Sequence, residues 1–132
     1  YEPHVLGIQV GQPLTIHNDD DTMHNVHSLP KLNEEFNFAQ TKKGDEATKK
    51  FASAETMVKF KCDAHGWMSA WVGVVKHPFY AVSAEDGTFE IKGLPAGEYV
   101  LGAWHEKFRA QELTIKVGEK ETQTANFTFK AE

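Results

Sequence analysis

The residues richest in possible chemistry are Cys62-Asp63-Ala64-His65-Gly66-Trp67-Met68. This stretch holds a thiol, an imidazole and a thioether, and its cysteine is the single one in the chain. Soft sulfur donors combined with imidazole suit copper; zinc makes little use of a thioether, and magnesium or calcium require oxygen. A trigonal arrangement of two His and one Cys, with a weak axial Met, is that of an electron-transfer copper site. It needs a second histidine from another part of the chain. His24-Asn25-Val26-His27, which begins 38 positions before Cys62, offers two. Alternation along a strand turns His24 and His27 to opposite faces, so only one of them can meet Cys62.

Other readings of these residues are weaker. A lone cysteine is most often a buried, inert thiol. A Cys62–His65 nucleophilic dyad is conceivable, but two groups so close on one loop chelate more readily than they position a base. One cysteine excludes an internal disulfide, a Cys-rich zinc site and a binuclear centre with two bridging thiolates. No Gly-rich phosphate loop and no nucleophile elbow is present. The acid pairs Glu34-Glu35 and Glu85-Asp86 read as solvated turn residues. No enzyme is expected. His4 and His17 read as surface residues. His27, His77, His105 and Glu106 could form a second metal position, or serve structural hydrogen bonds.

The elements that must position these groups are strands. Helical periodicity is almost absent, and short alternating runs are bounded by Gly, Pro, Asp and Asn, the pattern of an all-β sandwich. Strands are expected at Leu14–Asn18, Met57–Cys62, Trp71–Lys76 and Phe79–Ser83, then Thr88–Lys92, Glu98–His105, Glu112–Val117 and Thr124–Lys130. In Met57–Cys62, Val58, Phe60 and Cys62 share one face and Lys59 and Lys61 the other, which points Cys62 inward at a strand end. Residues 30–55 are polar and irregular, with one weak strand around Phe36 and Phe38, and read as a long excursion, with room for a short helix. A boundary near Lys76–Pro78 divides the chain into domains 1–77 and 78–132.

Together the Cys-x-x-His-x-x-Met loop, His24-Asn25-Val26-His27 and the run Val10-Gly11-Gln12-Pro13-Leu14-Thr15-Ile16 resemble the cupredoxins, in the short-loop form of amicyanins. The resemblance spans about residues 5–76. It implies a Greek-key β-sandwich holding one copper, cycling between Cu(I) and Cu(II), with His24, Cys62 and His65 as equatorial ligands and Met68 axial. It further implies that Asn25 fixes the loops by hydrogen bonds near the thiolate, and that His65 lies nearest the surface. Gly66-Trp67 stands where the family usually has a Pro-containing apolar pair. Trp67 is thereby a candidate for a docking surface. Residues 85–99, with the pattern D-G-x-F-x-I-x-x-L-P-x-G-x-Y, are similar to the carboxypeptidase-regulatory-like, prealbumin-like β module. The second domain is therefore expected to be an appended, truncated module of that kind, with about five strands.

The function implied is one-electron transfer with a redox protein partner such as a c-type cytochrome or dehydrogenase. A copper carrier or storage module, a copper enzyme with a second metal, and an adhesion or carbohydrate-binding module resting on residues 78–132 are the alternatives. Composition narrows the field further. The 132 residues carry a net charge of −5, shared by both halves, which disfavours a nucleic-acid partner. No apolar run approaches the roughly 18–20 residues that cross a bilayer. An unpaired thiol in an oxidising compartment is a liability unless a metal holds it, and a periplasmic or otherwise exported location fits a copper thiolate.

Overall fold

The computed structural model describes residues 1–119 and 121–129, and among them every regular element is a β-strand. The strands are β1 (Val5–Gln9), β2 (Leu14–His17), β3 (His24–Leu29), β4 (Asn37–Gln40), β5 (Glu46–Lys49), β6 (Glu55–Lys61), β7 (Ser69–Val75), β8 (Gly97–Ala103) and β9 (Gln111–Val117). The chain forms two compact units, Tyr1–Glu90 and Ile91–Glu132.

In the first unit, a mixed sheet runs β1-β7-β6-β3-β4, with β1 parallel to β7 and the other pairs antiparallel. The Val-rich β7 lies inside this sheet and is its most buried strand, as expected of branched side chains covered on both faces. β2 and β5 pair separately, Leu14 opposite Lys49 and His17 opposite Glu46. Leu14 and Ile16 pack on the core of Ile8, Val26, Phe51, Val58, Phe60, Ala70, Val72 and Val74, which makes the unit a β-sandwich. Gly11, at φ +78°, supplies the left-handed residue in the turn from β1 to β2. The buried Gln40 links the layers: its Nε2 donates to Ile16 O at 2.9 Å.

Several local readings hold and others do not. The inward alternation of Val58, Phe60 and Cys62 is observed, each being buried. The excursion at 30–55 holds two strands, β4 and β5, and no helix. Residues 79–83 and 88–92 make no ladder. Their alternation encodes extended chain without supplying a partner edge, and strand propensity alone does not create one. Between them the Glu85-Asp86-Gly87 turn does form, with Gly87 N–H donating to Ala84 O at 2.9 Å. Tyr80 belongs with the first sandwich, its hydroxyl donating to Gly7 O at 2.8 Å.

Among the described residues the second unit has one two-stranded sheet, β8 with β9, in a continuous register from Gly97↔Val117 to Ala103↔Gln111. The strand expected at Thr124–Lys130 makes no ladder over 124–129, and Lys130 lies outside the described residues.

Candidate metal centre

β3 and β6 bring the site together by parting. Their ladder runs Leu29↔Lys59, Ser28↔Phe60, His27↔Lys61 and stops there. Beyond that point the two strands diverge, and the hydrogen bonds of a ladder are replaced by side-chain groups. Asn25 N–H donates to Cys62 Sγ at 3.5 Å instead of to a carbonyl. Asn25 Oδ1 takes the place of a strand carbonyl, accepting from Asp63 N–H at 2.6 Å and Ala64 N–H at 3.2 Å. As a thiol, Cys62 also donates to Asn25 Oδ1 at 3.3 Å. The expected role of Asn25 beside the sulfur is thus seen directly in its contacts.

His24 opens β3, and His65 sits in the loop between β6 and β7, a loop tightened by Met68 N–H donating to His65 O at 3.0 Å. His24 Nδ1 and His65 Nδ1 lie 3.1 Å apart, and Cys62 Sγ lies 3.6 Å from His65 Nδ1. All three donor atoms fall within 4.8 Å of one another, with Cys62 buried and both imidazoles half-buried. The Asp20 carboxylate meets His24 Nε2 at 2.7 Å. Because a carboxylate only accepts, the His24 proton is assigned to Nε2, and the Nδ1 lone pair is left facing His65 and the sulfur. Two imidazole nitrogens and a thiol converging on one point are a donor set for a soft or borderline cation, and the residues fit copper. The carboxylate behind His24 is the usual second partner of a metal-binding imidazole.

His27 points the other way, as alternation requires. Its Nε2 meets Glu35 at 2.6 Å and its Nδ1 meets Asp63 at 3.2 Å. Glu35 first, then Asp63, hold its imidazolium and raise its pKa above the ordinary value. Asp63 is in turn held well below the usual carboxylate range by Lys61 and then His27 and Asn37. His77 and His105 are used locally: each Nδ1 accepts a backbone N–H two residues on, from Phe79 at 3.1 Å and Lys107 at 3.0 Å.

Met68 lines the same open cleft as His24 and His65, a space of about 440 Å³ that Tyr1, His4 and Asp20 also border. Trp67 lies at the surface, 81 % exposed, with its ring 5.1 Å from that of His65.

Other residues near the site were beyond the reach of sequence patterns. Asp20 is one of three consecutive acids, and only its place four residues before His24 hinted at a role. The buried Asn18 builds its loop, accepting from Asp20 N–H at 2.9 Å and donating to Gln40 O at 3.2 Å. Tyr1 carries no sequence signal; its hydroxyl lies 2.6 Å from Asn25 O and 2.8 Å from Lys61 O.

No family model and no curated protein matches the sequence. Among solved structures, a purple cupredoxin from Nitrosopumilus maritimus is 31% identical, covering 56% of this chain and 80% of that one, with a TM-score of 0.49. A proline-to-alanine mutant of amicyanin in its oxidised state is 29% identical, covering 56% of this chain and 71% of that one, also with a TM-score of 0.49. A reduced tryptophan-to-tyrosine mutant of amicyanin is 28% identical over the same shares, again at 0.49. Over 56% of its length the chain is similar to these cupredoxins, 31% identical to one of them across 80% of that protein.

Proposed function

We propose that this protein is a mononuclear type 1 copper protein that carries single electrons between redox proteins, with His24, Cys62, His65 and Met68 as ligands. The observation that supports it most is the convergence of His24 Nδ1, Cys62 Sγ and His65 Nδ1, with the Asp20 carboxylate fixing the His24 tautomer. Copper would supply reversible one-electron exchange between Cu(I) and Cu(II). The chain's own part is rigidity. His24 opens β3 and Cys62 directly follows β6 of the same sheet, and Asn25 ties the two strands and the ligand loop together. Ligands held in this way move little when the charge at the centre changes, and hydrogen bonds around the sulfur set the potential. Met68, which lines the same cleft as both imidazoles, would add a fourth, weak thioether donor in this reading.

His65 and the exposed Trp67 ring beside it form the face through which an electron leaves, and Trp67 offers an apolar contact to the partner, a cytochrome or dehydrogenase. The protein is a carrier rather than an enzyme, works in the periplasm or outside the cell, and comprises a copper domain over 1–77 followed by a β module. Among the described residues no helix is long and apolar enough to cross a membrane.

The test is spectroscopic. Copper-loaded protein should bind one ion per chain and show an intense thiolate-to-copper visible band, lost in Cys62→Ser. A colourless Cu(II) complex, or two coppers per chain, overturns the reading.

A further inference from the structure

Where the β3–β6 ladder ends at His27↔Lys61, one residue far away in sequence reaches a carbonyl on each strand. The Tyr1 hydroxyl lies 2.6 Å from Asn25 O and 2.8 Å from Lys61 O, 24 and 60 positions away along the chain. Carbonyls only accept, so the single phenolic proton is shared between them. Asn25 and Lys61 are the residues that flank the sulfur: Asn25 gives its N–H to Cys62 Sγ, and Lys61 precedes Cys62 in the chain. The ring is held too. It packs against the core cluster, and the segment behind it is laid along β7, with Trp71 N–H donating to His4 O at 2.8 Å.

From this geometry we infer that Tyr1 is a positioning residue for the cysteine ligand: its hydroxyl bridges the parted strands and keeps the Asn25 N–H on the Cys62 sulfur. Without the bridge, the β3–β6 ladder, which ends at His27↔Lys61, does not reach Asn25 O. The longest contact of the set, Asn25 N–H to sulfur at 3.5 Å, is then the one free to open. Burial, followed by the charges of Cys62 and Asp63, pushes the phenol above its usual range, which keeps the hydroxyl a donor at all ordinary pH. A hydrogen bond to the thiolate withdraws charge from sulfur and favours the lower valence of a bound ion, so losing it lowers the potential. The consequence for copper rests on the function proposed above; the effect on Asn25 and Cys62 does not.

The experiment compares Tyr1→Phe with Tyr80→Phe, which deletes a similar phenol-to-carbonyl bond, on Gly7 O at 2.8 Å. Amide hydrogen exchange is read at Asn25 in metal-free protein, and copper affinity and potential are read in loaded protein. Tyr1→Phe should speed Asn25 exchange about tenfold and weaken copper binding by about tenfold, the lower end of the effect of outer partners. If the loss falls on Cu(I), the potential drops by about 59 mV, tenfold for one electron. Tyr80→Phe should do none of these. Equal changes in both variants, or unaltered Asn25 exchange in Tyr1→Phe, overturn the inference. If wild-type protein shows no copper band while Tyr1→Phe alone frees Asn25, the copper reading fails and the positioning role stands.

Discussion

Glu55 opens β6, the strand that delivers Cys62, and it is buried, 7 % exposed. Its Oε1 accepts from Leu32 N–H at 2.8 Å, Asn33 N–H at 3.2 Å and Asn33 Nδ2 at 3.2 Å, and its Oε2 accepts from Lys31 N–H at 2.9 Å. The carboxylate thereby closes the loop that follows β3, clamping the end of the β3–β6 pair opposite the metal centre. In Glu55→Gln the amide oxygen can occupy the place where three donors meet, but its NH₂ then faces the Lys31 N–H. Hydrogen bonds to a charged group are worth about 1.5–3 kcal/mol against about 1 for neutral ones, and an unpaired buried donor costs about 1–3. A neutral amide is easier to bury than a carboxylate, which offsets part of that, and the net loss should be about 3 kcal/mol.

For a unit of this size, at about 4–8 °C per kcal/mol, the midpoint of thermal unfolding falls by about 12 °C or more. The pH dependence has a definite sign. Burial by itself would raise the Glu55 pKa, but the N–H groups of Lys31, Leu32 and Asn33 outweigh it and the pKa is lowered. Stability from such a group is complete above the unfolded carboxylate value of about 4.3 and is lost as pH falls through the lower folded value. Urea unfolding of wild type and Glu55→Gln should therefore differ by a constant amount above about pH 5 and converge in more acid solution. A difference under about 1 kcal/mol at neutral pH, or one that persists undiminished to about pH 2, refutes this account.

Two further substitutions probe the site and its frame. Asp20→Ala removes the acceptor behind His24 Nε2, 2.7 Å away, and should weaken copper binding by about 10–100-fold in competition with a chelator. Unchanged affinity would show that the carboxylate does not set the His24 tautomer. Gly7→Ala places a methyl 2.2 Å from Tyr80 Cε2, forcing the ring off β1 and breaking its bond to Gly7 O, and should cost about 1–3 kcal/mol in chemical unfolding. A wild-type midpoint would mean that Tyr80 is not fixed there.

Particular residues show where sequence reading succeeds. Val58, Phe60 and Cys62 alternate with two lysines, and that period of two alone turns Cys62 inward. His24 and His27 stand three apart, so a strand must separate their faces, and the structure gives one to the cysteine and the other to Glu35 and Asp63. The ligand loop was legible because its donors are close in the chain and its chemistry is carried by residue type. Alternation at 79–83 and 88–92 misled because it encodes an extended backbone and says nothing of a neighbouring edge.

Residue types and local spacing thus determined on their own that the chain is all-β, which face Cys62 takes, and which metal its donors prefer. Folding decided the rest. That β3 and β6 part just before Cys62, that Asp20 stands behind His24, and that Tyr1 reaches Asn25 and Lys61 are consequences of register and of contacts spanning up to 60 residues. Local preference fixes the direction in which a side chain points. Only the packed sheets fix what it meets, because a hydrogen bond is made or lost within a few tenths of an ångström and such distances are set by the whole fold.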